Sequence, residues 1–94
     1  MSKPERDDII QNKLKELPGW NYQENALIKE FIADNFSSAL AFTVQIGIEA
    51  EKADHHPDIL IHSWNKILLK ITTHEKGGVT EKDFKLADSI NKLV

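Results

Sequence analysis

Cysteine is absent from this 94-residue chain, so disulfide scaffolds, thiolate zinc sites and cysteine nucleophiles are all excluded. A surplus of positive charge is missing as well. Twelve Lys and Arg against fifteen Asp and Glu leave a net charge of −3, and no broad cationic surface is available to neutralise a phosphate backbone. No nucleic-acid partner is expected. Long apolar runs are lacking: the longest, Ala39-Leu40-Ala41-Phe42, is four residues, against the roughly 20 that a membrane-spanning helix needs. The polar opening, Met-Ser-Lys-Pro-Glu-Arg-Asp-Asp, does not read as a secretory signal, and the expected location is the cytoplasm. No Gly-x-Gly-x-x-Gly or phosphate loop occurs, so nucleotide-cofactor chemistry finds no foothold and no cofactor is expected.

What remains is the composition of a single soluble domain spanning residues 1–94, 40% hydrophobic and 29% charged. Two independent cores would each fall below about 50 residues. One core of this size supplies on the order of a few kcal/mol of net stability, so self-association into a homodimer or homotetramer is expected.

Pro4 followed by Glu5, Asp7 and Asp8 reads as the first turn of a helix, because the missing proline N–H costs nothing there and acids suit the positive end of the dipole. Ile10, Leu14 and Leu17 share one helical face, and Pro18-Gly19 stops the helix. Trp20 to Asp34 predicts a hairpin around the polar Glu24-Asn25 pair. From Ser37 to Ala53 the pattern is divided. Leu40, Phe42, Val44, Ile46 and Ile48 alternate as in a strand, but a serine cap at 37 or 38 and Glu49-Ala50-Glu51-Lys52 favour helix. Seventeen residues exceed a typical strand of about 5–6, and the segment is predicted helical, with Ala39, Phe42, Ile46, Ala50 and Ala53 as its inner stripe. Ile59–Trp64 and Ile67–Thr73 predict a second hairpin, Gly77-Gly78 a turn, and Thr80 the cap of a last helix carrying Phe84, Ala87 and Ile90 inward. The predicted fold is α+β: a four-stranded antiparallel sheet with three helices on one face, in the order α-β-β-α-β-β-α.

Four histidines are the chemically informative residues. Imidazole has an ordinary pKa of about 6.5 and exchanges protons near neutrality. His55 and His56 follow a helix end, His56 is biased to extended backbone by Pro57, and His74 follows a strand. Element ends can direct side chains into a shared cleft. The plainer reading of His55 and His56 is helix-end histidines that complement the dipole. Metal binding by His55, His74, Glu51, Asp54 and Asp83 is weak on spacing, since no His-x-x-x-His or His-Glu-x-x-His occurs. No metal is expected. Asp83, three residues after Thr80, fits a capping box as well as a site. Trp64 reads as a half-buried strand aromatic, and His62 as a surface residue.

Glu51, three residues, His55-His56-Pro57, six residues, Trp64, nine residues, His74, eight residues, Asp83 resembles the pterin-4a-carbinolamine dehydratases. Pro18-Gly19-Trp20, the stretch from Phe31 to Phe36, Ala39, Phe42, Gly78 and Leu86-Ala87 extend the similarity over nearly the whole chain. Ile59, just past His-His-Pro-Asp, stands where some members carry an aromatic, which implies a looser wall to the pterin pocket. The resemblance implies a hydro-lyase that removes water from 4a-hydroxytetrahydropterin, giving quinonoid dihydropterin. That step recycles the tetrahydrobiopterin cofactor of an aromatic amino-acid hydroxylase, which makes such a hydroxylase a possible pathway partner.

By the family pattern, His55 and His74 are the acid and base, in either order, His56 holds the pterin, and Asp83 orients His74. Asp54, Thr72 and Thr73 line the pocket with the histidines, while Glu51, Pro57 and Trp64 support it. The resemblance also raises a second function: a non-catalytic dimerisation or binding module of the transcription-factor-partner type. The intact His55, His56, His74 and Asp83 argue for chemistry.

Overall fold

The computed structural model describes residues 6–94; the predicted role of Pro4 at a helix start lies outside them. Helix α1 is Asp7–Leu14, with Asp7 and Asp8 in its first turn. It ends earlier than the apolar spacing suggested. Leu17 is nevertheless buried, reached through a turn in which the Leu17 N–H donates to the Leu14 carbonyl. Gly19 then takes φ 86°, and a Cβ there would lie 2.7 Å from the Lys29 side chain. The positive φ is what favours glycine there, since the tip of a lysine side chain can move aside.

Strands β1 (Asn21–Gln23) and β2 (Ala26–Ile32) form the first hairpin. Its two-residue turn, Glu24-Asn25, has both φ angles positive, at 51° and 62°, the geometry that matches strand twist. Helix α2 runs Phe36–Ala53. Its cap is Asn35 rather than Ser37 or Ser38: extended backbone at Asn35 lets the side-chain oxygen accept from the Ser38 N–H at 2.8 Å. Ala39, Ile46 and Ala50 are buried and Phe42 half-buried, whereas Ala53 is exposed. Phe36, Leu40, Val44 and Ile48 form a second, outward stripe. Two apolar faces on one helix produced the strand-like alternation.

Strands β3 (Asp58–His62) and β4 (Lys66–Ile71) make the second hairpin, and α3 (Glu81–Asn91) closes the chain. The sheet is antiparallel in the order β1-β2-β4-β3, and the element order is α-β-β-α-β-β-α as predicted. Leu27, Ile67, Leu69 and Ile71 on the sheet meet Ile10, Ala39, Ile46, Phe84, Leu86, Ala87 and Ile90 from the helices in one core. Truncating such a residue, Leu69→Ala for example, costs about 2–5 kcal/mol.

Lys29 sits on this same inner register, paired with Leu69. Its Nζ escapes the apolar layer by donating to the Pro18 carbonyl (2.9 Å) and Asn91 Oδ1 (2.8 Å), and it lies over the Phe31 ring. Trp20 Nε1 donates to the same Asn91 oxygen, so the end of α3 is tied to the first hairpin. Burial holds the Lys29 amine below its ordinary pKa. No described helix is long and apolar enough to cross a membrane.

Candidate active site

The site begins where α2 stops. Asp54 adopts left-handed backbone, φ 50° and ψ 45°, a conformation that Asp tolerates better than most residues. The His55 N–H then donates back to the Ala50 carbonyl at 3.1 Å, completing a Schellman-type closure. Pro57 follows, and β3 starts at the next residue. Beside it, β4 ends at Ile71, and Thr73 forms an isolated bridge with Gly78. His74–Lys76 between them make a single 3₁₀ turn, closed by Gly77 at φ 74°.

The β3–β4 register pairs Asp58 with Lys70. Beyond the strand ends, His55 and Thr73 are buried and both reach Asp83, whereas His56 is exposed and Thr72 half-buried.

On the inner side His55 meets Asp83. The distance from His55 Nε2 to Asp83 Oδ1 is 2.6 Å, and the two side chains are 10% and 0% exposed. The other carboxylate oxygen, Oδ2, accepts from the Thr80 N–H at 2.7 Å and the Thr73 hydroxyl at 2.8 Å. The capping box anticipated at Thr80 and Asp83 is therefore present, and it uses one oxygen while His55 uses the other. Capping and site support coexist in a single carboxylate.

His55 Nδ1 has no protein hydrogen bond among the described residues. No buried side-chain nitrogen or oxygen there lacks a partner, so Nδ1 is the nitrogen that reaches solvent. Asp83 thus supports His55 and not His74, which corrects the expected pairing. His74 is exposed at the start of the 3₁₀ turn and lines a cleft of about 230 Å³ with Thr72, Lys70, Glu24, Asn25, Gly77 and Gly78.

His56 is exposed and pairs with Glu51 at 2.6 Å. It lines a larger apolar groove of about 620 Å³ with Pro57, Ile59, Val44, Gly47 and Ile48. His55 lines neither of these two openings. The three histidines surround the β3–β4 end, His56 on the groove side, His74 on the cleft side and His55 between strand end and α3.

The hydroxyls of Thr72 and Thr73 are both engaged within the protein. The Thr72 hydroxyl donates to the Asn25 carbonyl at 2.7 Å. The Thr73 hydroxyl is spent on Asp83, and its backbone N–H and carbonyl both bond Gly78. Asp54 is exposed and its N–H closes α2. Trp64 is not a strand residue. It occupies the second hairpin's turn at φ 58°, 63% exposed, at the opposite end of β3 from His55 and His56. His62, on the outer sheet face, pairs with Glu30 at 2.6 Å.

Sequence reading missed the contact between the Thr73 and Thr80 hydroxyls, 3.0 Å apart; only the bridge to Gly78 brings those residues together. Among the described residues, no group of three His, Asp or Glu side chains gathers as a metal site.

This geometry defines a small α+β protein with a buried imidazole–carboxylate dyad, of a kind suited to proton transfer. The profile of the family described as Pterin 4 alpha carbinolamine dehydratase matches residues 3–93. Relatives that bear the pterin-4-alpha-carbinolamine dehydratase name include one from Sulfolobus acidocaldarius, 44% identical over 87 residues, which cover 93% of this chain and 94% of that one. Another, from a Roseiflexus species, is 46% identical over 88 residues, 94% of each chain. A crystal structure titled transcriptional coactivator/pterin dehydratase, from Brucella melitensis, superposes with a TM-score of 0.91 at 31% identity, covering 97% of this chain and 98% of that one. The chain belongs to the pterin-4a-carbinolamine dehydratase family.

Proposed function

We propose that this protein dehydrates a 4a-hydroxytetrahydropterin to the quinonoid dihydropterin by histidine acid–base catalysis, as a step in recycling a reduced pterin cofactor. The observation that carries this reading is the buried His55–Asp83 pair with Nδ1 turned outward. In the reaction the C4a–OH bond breaks, the N5–H proton leaves, and a C4a=N5 double bond forms with release of water. One group must protonate the departing hydroxyl and another must take the N5 proton.

With its Nε2–H donated to Asp83, His55 presents the Nδ1 lone pair as base, and the carboxylate stabilises the imidazolium that forms. His74, at the adjacent strand end, serves as the acid for the hydroxyl. His56, braced by Glu51, holds the pterin ring from the groove side, with Ile59 and Pro57 as apolar wall. Proton transfer of this kind contributes about 10²–10⁴-fold. The test is dehydration of an enzymatically generated 4a-hydroxypterin by wild type, His55→Ala and His74→Ala. Loss of most of the acceleration in both variants is expected; a wild-type rate equal to the uncatalysed background ends the dehydratase reading.

A second reading rests on a different observation. The outward stripe Phe36, Leu40, Val44 and Ile48 on α2 is apolar surface that a monomer seldom exposes, and the sheet ends in the edge strands β1 and β3. The Brucella protein is described as transcriptional coactivator as well as pterin dehydratase. We read the stripe and edges as surfaces for self-association into a homodimer or homotetramer, compatible with catalysis, and as the basis of a binding module if catalysis fails. Sedimentation at micromolar concentration should show the oligomer, and a monomer there rules it out.

A further inference from the structure

We propose that Thr73 and Thr80 are positioning residues that fix the proton of His55 through Asp83, an inference that rests on the dehydratase reading for its effect on turnover. Each threonine hydroxyl has one proton to donate, and a carboxylate has none. Thr80 Oγ1 already accepts from the Lys82 N–H, in the first turn of α3, at 3.3 Å. Its own proton has two acceptors in range: Thr73 Oγ1 at 3.0 Å and Asp83 Oδ2 at the long distance of 3.5 Å. The Thr73 hydroxyl lies 2.8 Å from Asp83 Oδ2.

If Thr80 donates to Thr73, and Thr73 to Asp83, both protons take their shorter contacts and no hydroxyl lacks an acceptor. The chain then runs one way, from the Lys82 N–H to Thr80 Oγ1, to Thr73 Oγ1, to Asp83 Oδ2. Asp83 Oδ2 also accepts the Thr80 backbone N–H, so that oxygen is occupied and held by the helix cap. Only Oδ1 faces His55, and an acceptor there places the imidazole proton on Nε2. The solvent-facing Nδ1 is left with its lone pair.

Thr73, Thr80 and Asp83 are 3%, 0% and 0% exposed, so water does not compete for these contacts, and bonds in such a chain polarise one another. Thr73 therefore acts on His55 from behind and is not a substrate contact.

The experiment combines imidazole ¹⁵N–¹H NMR of His55 with steady-state kinetics on wild type, Thr73→Val and Thr73→Ser. Valine keeps the shape of threonine and leaves the backbone capping bonds at Thr80 in place; Thr73→Ala serves if the valine variant does not fold, as thermal melting will show. Wild-type His55 should carry its neutral-form proton on Nε2 alone. Removing the Thr73 hydroxyl takes away one of the two donors that hold Asp83 Oδ2, so the carboxylate should swing off Nε2 and the proton should spread over both nitrogens. The kcat should then fall about tenfold with KM within about twofold; Thr73→Ser should restore both. An unchanged tautomer in Thr73→Val overturns the relay. A changed tautomer with unchanged kcat overturns its role in turnover. Because the NMR measurement needs no substrate, an inactive wild type would sink the dehydratase reading while the tautomer result still judges the relay.

Discussion

His55 and His56 are neighbours in the chain, and each has a carboxylate 2.6 Å from its Nε2. Their surroundings are opposite. The His55 and Asp83 side chains are 10% and 0% exposed; those of His56 and Glu51 are 60% and 77% exposed. An exposed pair interacts weakly because water screens it and two mobile side chains must be held still. A buried pair with its remaining oxygen satisfied is fixed in one geometry, and removing one partner leaves the other stranded. Equal distances therefore describe unequal interactions. The buried pair keeps one geometry, and the exposed pair is free to rearrange.

That contrast is open to direct attack. The largest effect is expected from Asp83→Asn, because an amide nitrogen turned toward His55 reverses the tautomer: activity should fall about 10²–10⁴-fold, measured as kcat/KM on a 4a-hydroxypterin. The same carboxylate caps α3, so unfolding by denaturant should also show a loss of about 1–3 kcal/mol. An active Asp83→Asn protein would show that burial gives the pair no special role.

Next comes Asp54→Val, which places a β-branched residue at φ 50° immediately before both histidines. A stability loss of about 1–2 kcal/mol is expected, together with reduced turnover, whereas Asp54→Gly should retain both; equal behaviour of the two variants would show that the left-handed backbone at Asp54 is not what sets the histidines in place. The smallest effect belongs to Glu51→Gln. Stability should stay within about 0.5 kcal/mol, and any rise in KM should shrink as salt is added to the wild-type assay, since salt screens the exposed pair. A loss comparable to that of Asp83→Asn would erase the distinction between the pairs.

Much of this was legible beforehand, for physical reasons that are local. The capping box at Thr80 and Asp83 is a four-residue pattern. The hairpins announce themselves by alternation around polar turns, and the helical assignment of α2 followed from its length and its Glu49–Lys52 run. The Pro57 bias and the helix end located the histidines.

The largest departure was long-range, and the others were local conformations that residue type does not announce. Asp83 lies 28 residues from His55 but nine from His74, and chain proximity favoured the wrong partner; the choice is made by how the β3–β4 end meets α3, which no single segment displays. Trp64 looked like a strand residue because aromatics suit strands, yet Ser63 and Trp64 both take positive φ and turn the chain. The outward stripe of α2 was hidden inside its own alternation, where two apolar faces imitated one strand.

The shared carboxylate has a mechanical consequence. Asp83 is the third residue of α3, and the oxygen that binds His55 belongs to the group that starts that helix. The first turn of a helix is the part that opens most readily in native-state fluctuations. An opening of this buried turn would carry Asp83 away from His55, and amide exchange at Thr80 and Lys82 would report it. Helix cap and imidazole partner are one group, so a change at either end is felt at the other.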